Sequence, residues 1–276
     1  MLALDKKNGS FLARFRGWFQ AGAALLTNIH LPNFAKGVLY QGKGKTVCVP
    51  GLNCYSCPGA VGSCPIGSLQ AVIGSKNYKF SFYVIGFLMI FGSLMGRFVC
   101  GWLCPFGLVQ DLLHKIPFVK KIKKVPFDRY LRYLKYVILV VFVIAMPLLL
   151  VGESGYGSPW FCKLICPSGT LLGGIPLVAK NPGLQRAIGF LFGWKVSILV
   201  ILLILSTMIY RPFCKYLCPL GAIYGIFNRF SLYHYEIDAA KCTKCGLCAK
   251  KCDMGVKVYE NPNSAESVSY THLRAH

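Results

Sequence analysis

The sequence predicts an all-α membrane protein with about four transmembrane helices, followed by a small cysteine-rich tail. Three observations carry that reading. Hydrophobic residues make up 55% of the 276 positions and charged residues only 14%, a composition outside the soluble globular range. Three apolar stretches each come near the ~20 residues a helix needs to cross a bilayer. Lys and Arg total 31 against nine Asp and Glu, and they crowd into alternate loops, as expected of a chain oriented by its basic flanks.

In chain order, residues 17–35 are uncharged but carry Gln20, Asn28, His30 and Asn33, which reads as a weaker span or an interfacial helix. The segment is too polar for a secretory signal peptide and is treated as mature protein. Residues 78–96, 133–151 and 189–210 are the three strong spans. Lys195 interrupts the last of these near its start, where its long stem can carry the ammonium to the interface. On four spans, the N-terminus, the middle loop and the tail hold 21 basic residues against 8 in the other two loops, so the N-terminus and tail are expected to be cytoplasmic. That placement explains the positive charge and excludes nucleic acid as a partner. The run KKIKK at 120–124 fits a topology anchor touching anionic membrane lipid.

The fourteen cysteines repeat a unit. CPIG at Cys64, CPFG at Cys104, CPSG at Cys166 and CPLG at Cys218 share Cys-Pro-x-Gly, and Cys100, Cys162 and Cys214 each stand four positions before the last three. The first unit instead has Cys54 and Cys57 ahead of Cys64. Proline favours the first turn of a helix, and an apolar run follows each unit, so each CPxG cysteine is expected at a helix N-cap. Unpaired N–H groups and the positive helix end then face the sulfur and favour a thiolate. The glycine lets the helix approach a bulky cofactor, although plain helix packing would explain it too.

A lone buried cysteine is usually inert filler; four copies of one unit favour metal or cluster ligation. Cys100, Cys104, Cys214 and Cys218 follow spans on the cytoplasmic side and make four thiolates. Cys54, Cys57, Cys64, Cys162 and Cys166 lie in the two opposite loops and offer a second four with one to spare; Cys48 is a further extra. Two clusters near opposite faces are expected, held by re-entrant Cys-Pro helices that dip inward. Disulfides are the chief rival for the outer cysteines, because that compartment can be oxidising.

Cys242, Cys245, Cys248 and Cys252 form C-x2-C-x2-C-x3-C, an iron–sulfur pattern in which the fourth cysteine serves another cluster. Zinc would require a second pair or histidines. Asp253 stands where proline is usual, and no second run follows. The tail is therefore a partial ferredoxin-like (α+β) segment with one incomplete [4Fe–4S] site. The expected division is a membrane domain at 1–235, the ferredoxin-type segment at 236–266, and a non-native end at 267–276.

RFVCGWLCPFG, RPFCKYLCPLG and CTKCGLCAKKC resemble membrane-bound polyferredoxins of the NapH, NosR and CcoG type. NCYSCPGAVGSCPIGSLQ is similar to the N-terminal part of an anaerobic branch of that group, and the likeness covers about residues 14–266. The resemblance implies a multi-pass protein of the cell membrane, with a cytoplasmic two-cluster tail, that passes electrons between a quinone or flavin-containing donor and a redox partner protein. It implies an electron-transfer subunit rather than a stand-alone enzyme. A metal reductase or assembly factor handling copper for a partner metalloenzyme is the alternative, since thiolates also suit copper(I). The second ferredoxin motif of that family is missing. SVSYTHLRAH at 267–276 resembles translated adapter read-through, so the natural chain is expected to continue beyond Glu266.

Three weaker features complete the reading. Asp111 and His114 are three apart and share a helix face, which reads as a solvated polar face in preference to a proton relay. His30 finds no second histidine at matching depth for haem. Aromatics around 80–83 and 130–136 read as interface belts. A transporter is disfavoured, because the spans hold almost no ionisable residue for a substrate path.

Overall fold

The computed structural model describes residues 8–75, 82–117, 121–122, 127–150, 157–233, 245–246 and 252–255. Among them the secondary structure is helical throughout, apart from a single bridge between Cys48 and Ser63.

Helix α1, Asn8–Thr27, begins earlier and stops sooner than the 17–35 span expected from hydropathy. Its end is set by side chains that take over the last carbonyls: Thr27 Oγ1 donates to Ala23 O and Asn28 Nδ2 to Ala24 O, both at 2.9 Å. Such local bonds compete with continued helix. A short helix α2, Pro32–Lys36, follows and closes on Gly37 at φ 66°. The chain then runs through a loop to α3, Pro65–Ile73, and to the apolar α4, Phe82–Met95.

The remaining elements alternate long and short. One-turn α5, Phe98–Trp102, leads through Cys104 into α6, Pro105–His114. Helix α7, Asp128–Leu149, contains a π-helical stretch at Leu139–Ala145. One-turn α8, Trp160–Leu164, leads through Cys166 into α9, residues 167–180. A short α10, Pro182–Arg186, precedes α11, Phe190–Met208. One-turn α12, Pro212–Tyr216, leads through Cys218 into α13, Pro219–Phe227.

Two helices among the described residues, α7 and α11, are long and apolar enough to cross a membrane, and α4 is a shorter apolar helix. Their outer faces stay apolar. Val140 on α7 and Trp194, Ile201 and Ile204 on α11 are exposed, which water would penalise and lipid would not. Lipid gives apolar side chains little reason to leave it, so close packing carries the association of such helices. At Gly92 of α4 an added Cβ would come 2.7 Å from the Phe227 ring of α13. The end of α3 meets the start of the α8 segment in the same way. Gly157 N–H donates to Gly74 O at 2.7 Å, and a Cβ on Gly74 would lie 2.6 Å from Gly157 Cα.

That glycine contact fixes the helix after Cys64 against the one carrying Cys162. Gly74→Ala should therefore lower the thermal unfolding temperature of the purified protein in detergent, at a cost of about 1–3 kcal/mol. Gly86→Ala, which meets nothing within 4 Å on α4, should be neutral or slightly stabilising because alanine is the better helix former.

Candidate functional site

Each Cys-Pro unit caps a helix. Cys64, Cys104, Cys166 and Cys218 adopt extended backbone with ψ between 108° and 130°, and proline opens the helix that follows. The Gly169 and Gly221 N–H groups donate to Cys166 Sγ and Cys218 Sγ at 3.5 and 3.4 Å. The preceding one-turn helix ends as the cap begins, with Cys166 N–H on Phe161 O at 3.0 Å and Cys218 N–H on Phe213 O at 2.9 Å. The glycine of the unit permits close approach in three of the four copies; at Gly67 an added Cβ would meet only Cys162 Sγ at 3.9 Å. A Cβ on Gly107 would sit 3.1 Å from Cys100 O, and one on Gly169 would sit 3.4 Å from Cys54 Sγ.

The cysteines gather in two groups. Cys100, Cys104, Cys214 and Cys218 are all buried, and each of Cys214 and Cys218 feels the charge of the other motif's cysteines. Cys54, Cys64, Cys162 and Cys166 form the second group by the same mutual influence. Cys57 also feels the charge of Cys54, but its Sγ donates to Asn28 Oδ1 at 3.4 Å. Cys48 Sγ lies 3.9 and 3.7 Å from the Ser63 and Ser68 hydroxyls. None of the described cysteines is in a disulfide.

Instead of standing far apart across the chain, the two groups share one wall. The Pro50–Leu52 strip lies between them: a Cβ on Gly51 would be 3.1 Å from Cys104 Cα, and the Ser168 hydroxyl donates to Leu52 O at 3.4 Å. Tyr224, fully buried, donates to Pro50 O at 3.0 Å. Burial pushes its phenol up, and so do Cys100, Cys64, Cys104 and Cys218, which belong to both groups.

Buried cations surround the first group. Arg97 and Arg211 each precede a cysteine by three positions, in RFVC and RPFC, and they reciprocate: Arg97 Nη2 donates to Cys214 O at 3.3 Å and Arg211 Nη1 to Cys100 O at 2.8 Å. Both are 0% exposed. Arg211 is neutralised by Asp111, which also binds Arg16. Arg97 is not: its Nε and Nη1 are buried without a partner among the described residues. Lys135 adds a third buried positive charge acting on Cys100. The second group has Lys45, which donates to Tyr55 O and to Cys57 O, the latter at 3.1 Å, and Lys195, whose charge acts on Cys54 and Cys166.

The helix ends favour thiolates, but burial outweighs them. Desolvation first, then neighbouring thiols, pushes Cys64, Cys166 and Cys214 up to about 12 and Cys100 up to about 11. Such thiols shed their protons only against a bound cation. No three His, Cys, Asp or Glu side chains among the described residues converge tightly enough for a single metal ion. The thiolates of a cubane each bind a different iron and stand further apart, so this donor set suits a [4Fe–4S] cluster. The unpartnered donors of Arg97 supply an independent fit, because a fully buried guanidinium requires an anion or acceptor.

In the tail, Cys242 and Cys248 lie outside the described residues. Cys245 is exposed, and Cys252 packs half-buried against the core beside buried Met254. Arg132, paired with Asp128, donates to Met254 O at 3.1 Å and Gly255 O at 3.4 Å. Asp128 in turn takes Lys215 at 2.6 Å and the Tyr216 hydroxyl, the two residues that follow Cys214.

Asp111 was expected on a solvated face and is buried. The sequence hid this because its partners are 95 and 100 residues away. The arginine three positions before each cysteine was the available signal for that pocket.

The chain matches the 4Fe-4S binding domain family over residues 79–126, 137–185 and 191–233, each stretch holding one C-x3-C-P unit. An uncharacterized protein of Methanocaldococcus jannaschii is 29% identical over 66% of this chain and 68% of its own. The ferredoxin-type protein NapH of Haemophilus influenzae is 31% identical over 60% of this chain and 50% of its own. The regulatory protein NosR of Pseudomonas aeruginosa is 31% identical over 58% of this chain and 21% of its own. No solved structure matches.

Burial alone would raise the Asp111 carboxyl, yet the Arg211 and Arg16 guanidiniums hold it below the usual range. Its stabilising contribution is therefore complete above the unfolded value of about 3.9 and is lost as pH falls through the lower folded value. Asp111→Asn should cost about 3–5 kcal/mol at neutral pH. In thermal unfolding against pH, the gap between wild type and variant should close below about pH 4.

Proposed function

Because the chain belongs to the 4Fe-4S binding domain family, we propose that it is a membrane-integral electron-transfer protein holding two clusters in its helical domain. Cys100, Cys104, Cys214 and Cys218 hold one; Cys54, Cys64, Cys162 and Cys166 hold the other, with Cys57 as the spare. The observation that carries this reading is the convergence of two distant C-x3-C-P units on one buried, cation-lined pocket where Arg97 keeps two unpartnered donors. A [4Fe–4S] cluster supplies one-electron chemistry at a potential set by its charge, hydrogen bonding and exposure.

The chain's own residues prepare that chemistry. Arg97, Arg211 and Lys135 offset the negative charge that four thiolates and an added electron bring to a dry site. The packed core keeps water off the sulfurs, and Tyr224 with the Pro50–Leu52 strip touches both groups, a short protein connection between the two proposed clusters. Arg132 and Asp128 hold the 252–255 segment close to α12, beside the first pocket, and Cys242, Cys245 and Cys248 are the ligands proposed for a ferredoxin-type site in the tail. Cys252 would serve a further cluster.

The basic-loop pattern supports a multi-pass protein with N-terminus and tail in the cytoplasm. A redox partner protein would meet the tail, and a quinone or flavin-containing partner would stand at the other end of the path. Similarity to NapH, a ferredoxin-type protein, supports a subunit of a larger oxidoreductase system.

Iron analysis of anaerobically purified protein tests the assignment. Cys100→Ala with Cys214→Ala, and Cys54→Ala with Cys166→Ala, should each remove a separate share of the iron, and the losses should add. Cys57→Ala should keep the wild-type iron content. Unchanged iron in both double variants would overturn the proposal.

A further inference from the structure

Six positions after Cys64 and Cys104, in CPIGSLQ and CPFGLVQ, stand Gln70 and Gln110. Both are buried, at 0% and 1% exposure, and they make the same pair of contacts in the two pockets. Gln70 Oε1 accepts from Phe161 N–H at 3.0 Å, and its Nε2 donates to Cys162 Sγ at 3.5 Å. Gln110 Oε1 accepts from Phe213 N–H at 3.2 Å, and its Nε2 donates to Cys214 Sγ at 3.2 Å. Each amide thus reaches from its own Cys-Pro helix to the one-turn helix of a unit some 90 to 100 residues further on. The orientation of each amide is fixed chemically, since only the oxygen can accept the backbone N–H. In the other two units the sixth position is Leu172 and Tyr224, so each pocket receives one glutamine.

We infer that Gln70 and Gln110 are equivalent positioning residues, each orienting one cluster cysteine of the second unit and raising the reduction potential of its cluster through the N–H···S bond. The physical basis is charge. Adding one electron increases the negative charge on the thiolate sulfurs, and a donor aimed at one of them stabilises the reduced form more than the oxidised form. The electron comes from an external reductant; the glutamine exchanges neither electron nor proton. The shorter bond to Cys214 Sγ gives Gln110 the larger effect.

This inference rests on the proposed function, and one set of measurements separates them. The full chain, purified anaerobically in detergent, is titrated with dithionite and redox mediators while reduced-cluster signals are followed by electron paramagnetic resonance. Gln110→Met keeps the length and removes the N–H. It should lower the midpoint of the signal that the Cys100→Ala, Cys214→Ala variant lacks, whereas Gln70→Met should lower the other by less. Gln110→Glu keeps an acceptor for Phe213 N–H while removing the amide donor, and it should hold iron at the wild-type level with a lowered midpoint. Retained iron with unmoved midpoints would overturn the inference. Loss of iron from both Gln110 variants would make the residue an anchor alone and would overturn it equally. Wild-type protein without iron would instead overturn the proposed function.

Discussion

The carboxylate of Asp111 organises the centre of this molecule. It is buried on α6, takes Arg16 from α1 and Arg211 from the start of α12, and so joins three segments separated by about a hundred residues each. Arg211 adopts a left-handed backbone, φ 47°, which is unfavourable for a side chain of that size. The conformation is held because the same guanidinium also binds Cys100 O. Without a charge-neutralising partner at Asp111, a fully buried arginine would be costly, and the segment carrying Cys214 would have no fixed approach to the segment carrying Cys100.

From that junction the rest of the first pocket follows by repetition. Arg97 and Arg211 occupy equivalent places in two copies of one unit, and each binds the carbonyl of the other copy's first cysteine. The Cys64 and Cys162 units meet in the same manner, through Gln70 in place of Gln110. One local device, a one-turn helix broken by a Cys-Pro cap, has been used to build two pockets from pairs of distant repeats. The contacts between copies explain why no single unit could make a site alone: each supplies two sulfurs, and in each pocket one unit leaves a buried N–H, of Phe161 or Phe213, that the other unit's glutamine satisfies.

Burial and positive charge act in opposite directions on these sulfurs, and the balance has chemical meaning. Desolvation keeps the thiols protonated, so the pockets are poor places for free thiolates and good ones for thiolates bound to iron. The surrounding Arg and Lys side chains then serve the loaded site. The unpartnered atoms of Arg97 mark where such compensation is unfinished in the protein alone.

Local chemistry made much of this legible in the sequence. The four Cys-Pro caps, the helices after them and the spans at α7 and α11 follow from proline's fixed φ and from apolar run length, which act within a few residues. The end of α1 was misplaced because Thr27 and Asn28 terminate the helix inside an otherwise uncharged stretch. The shared wall at Pro50 and Tyr224, the diversion of Cys57 to Asn28, and the burial of Asp111 and Arg97 beside the cysteines were decided only in three dimensions. Each depends on contacts between segments far apart in sequence, where spacing has no influence and only the packing of one repeat against another determines which donor meets which acceptor.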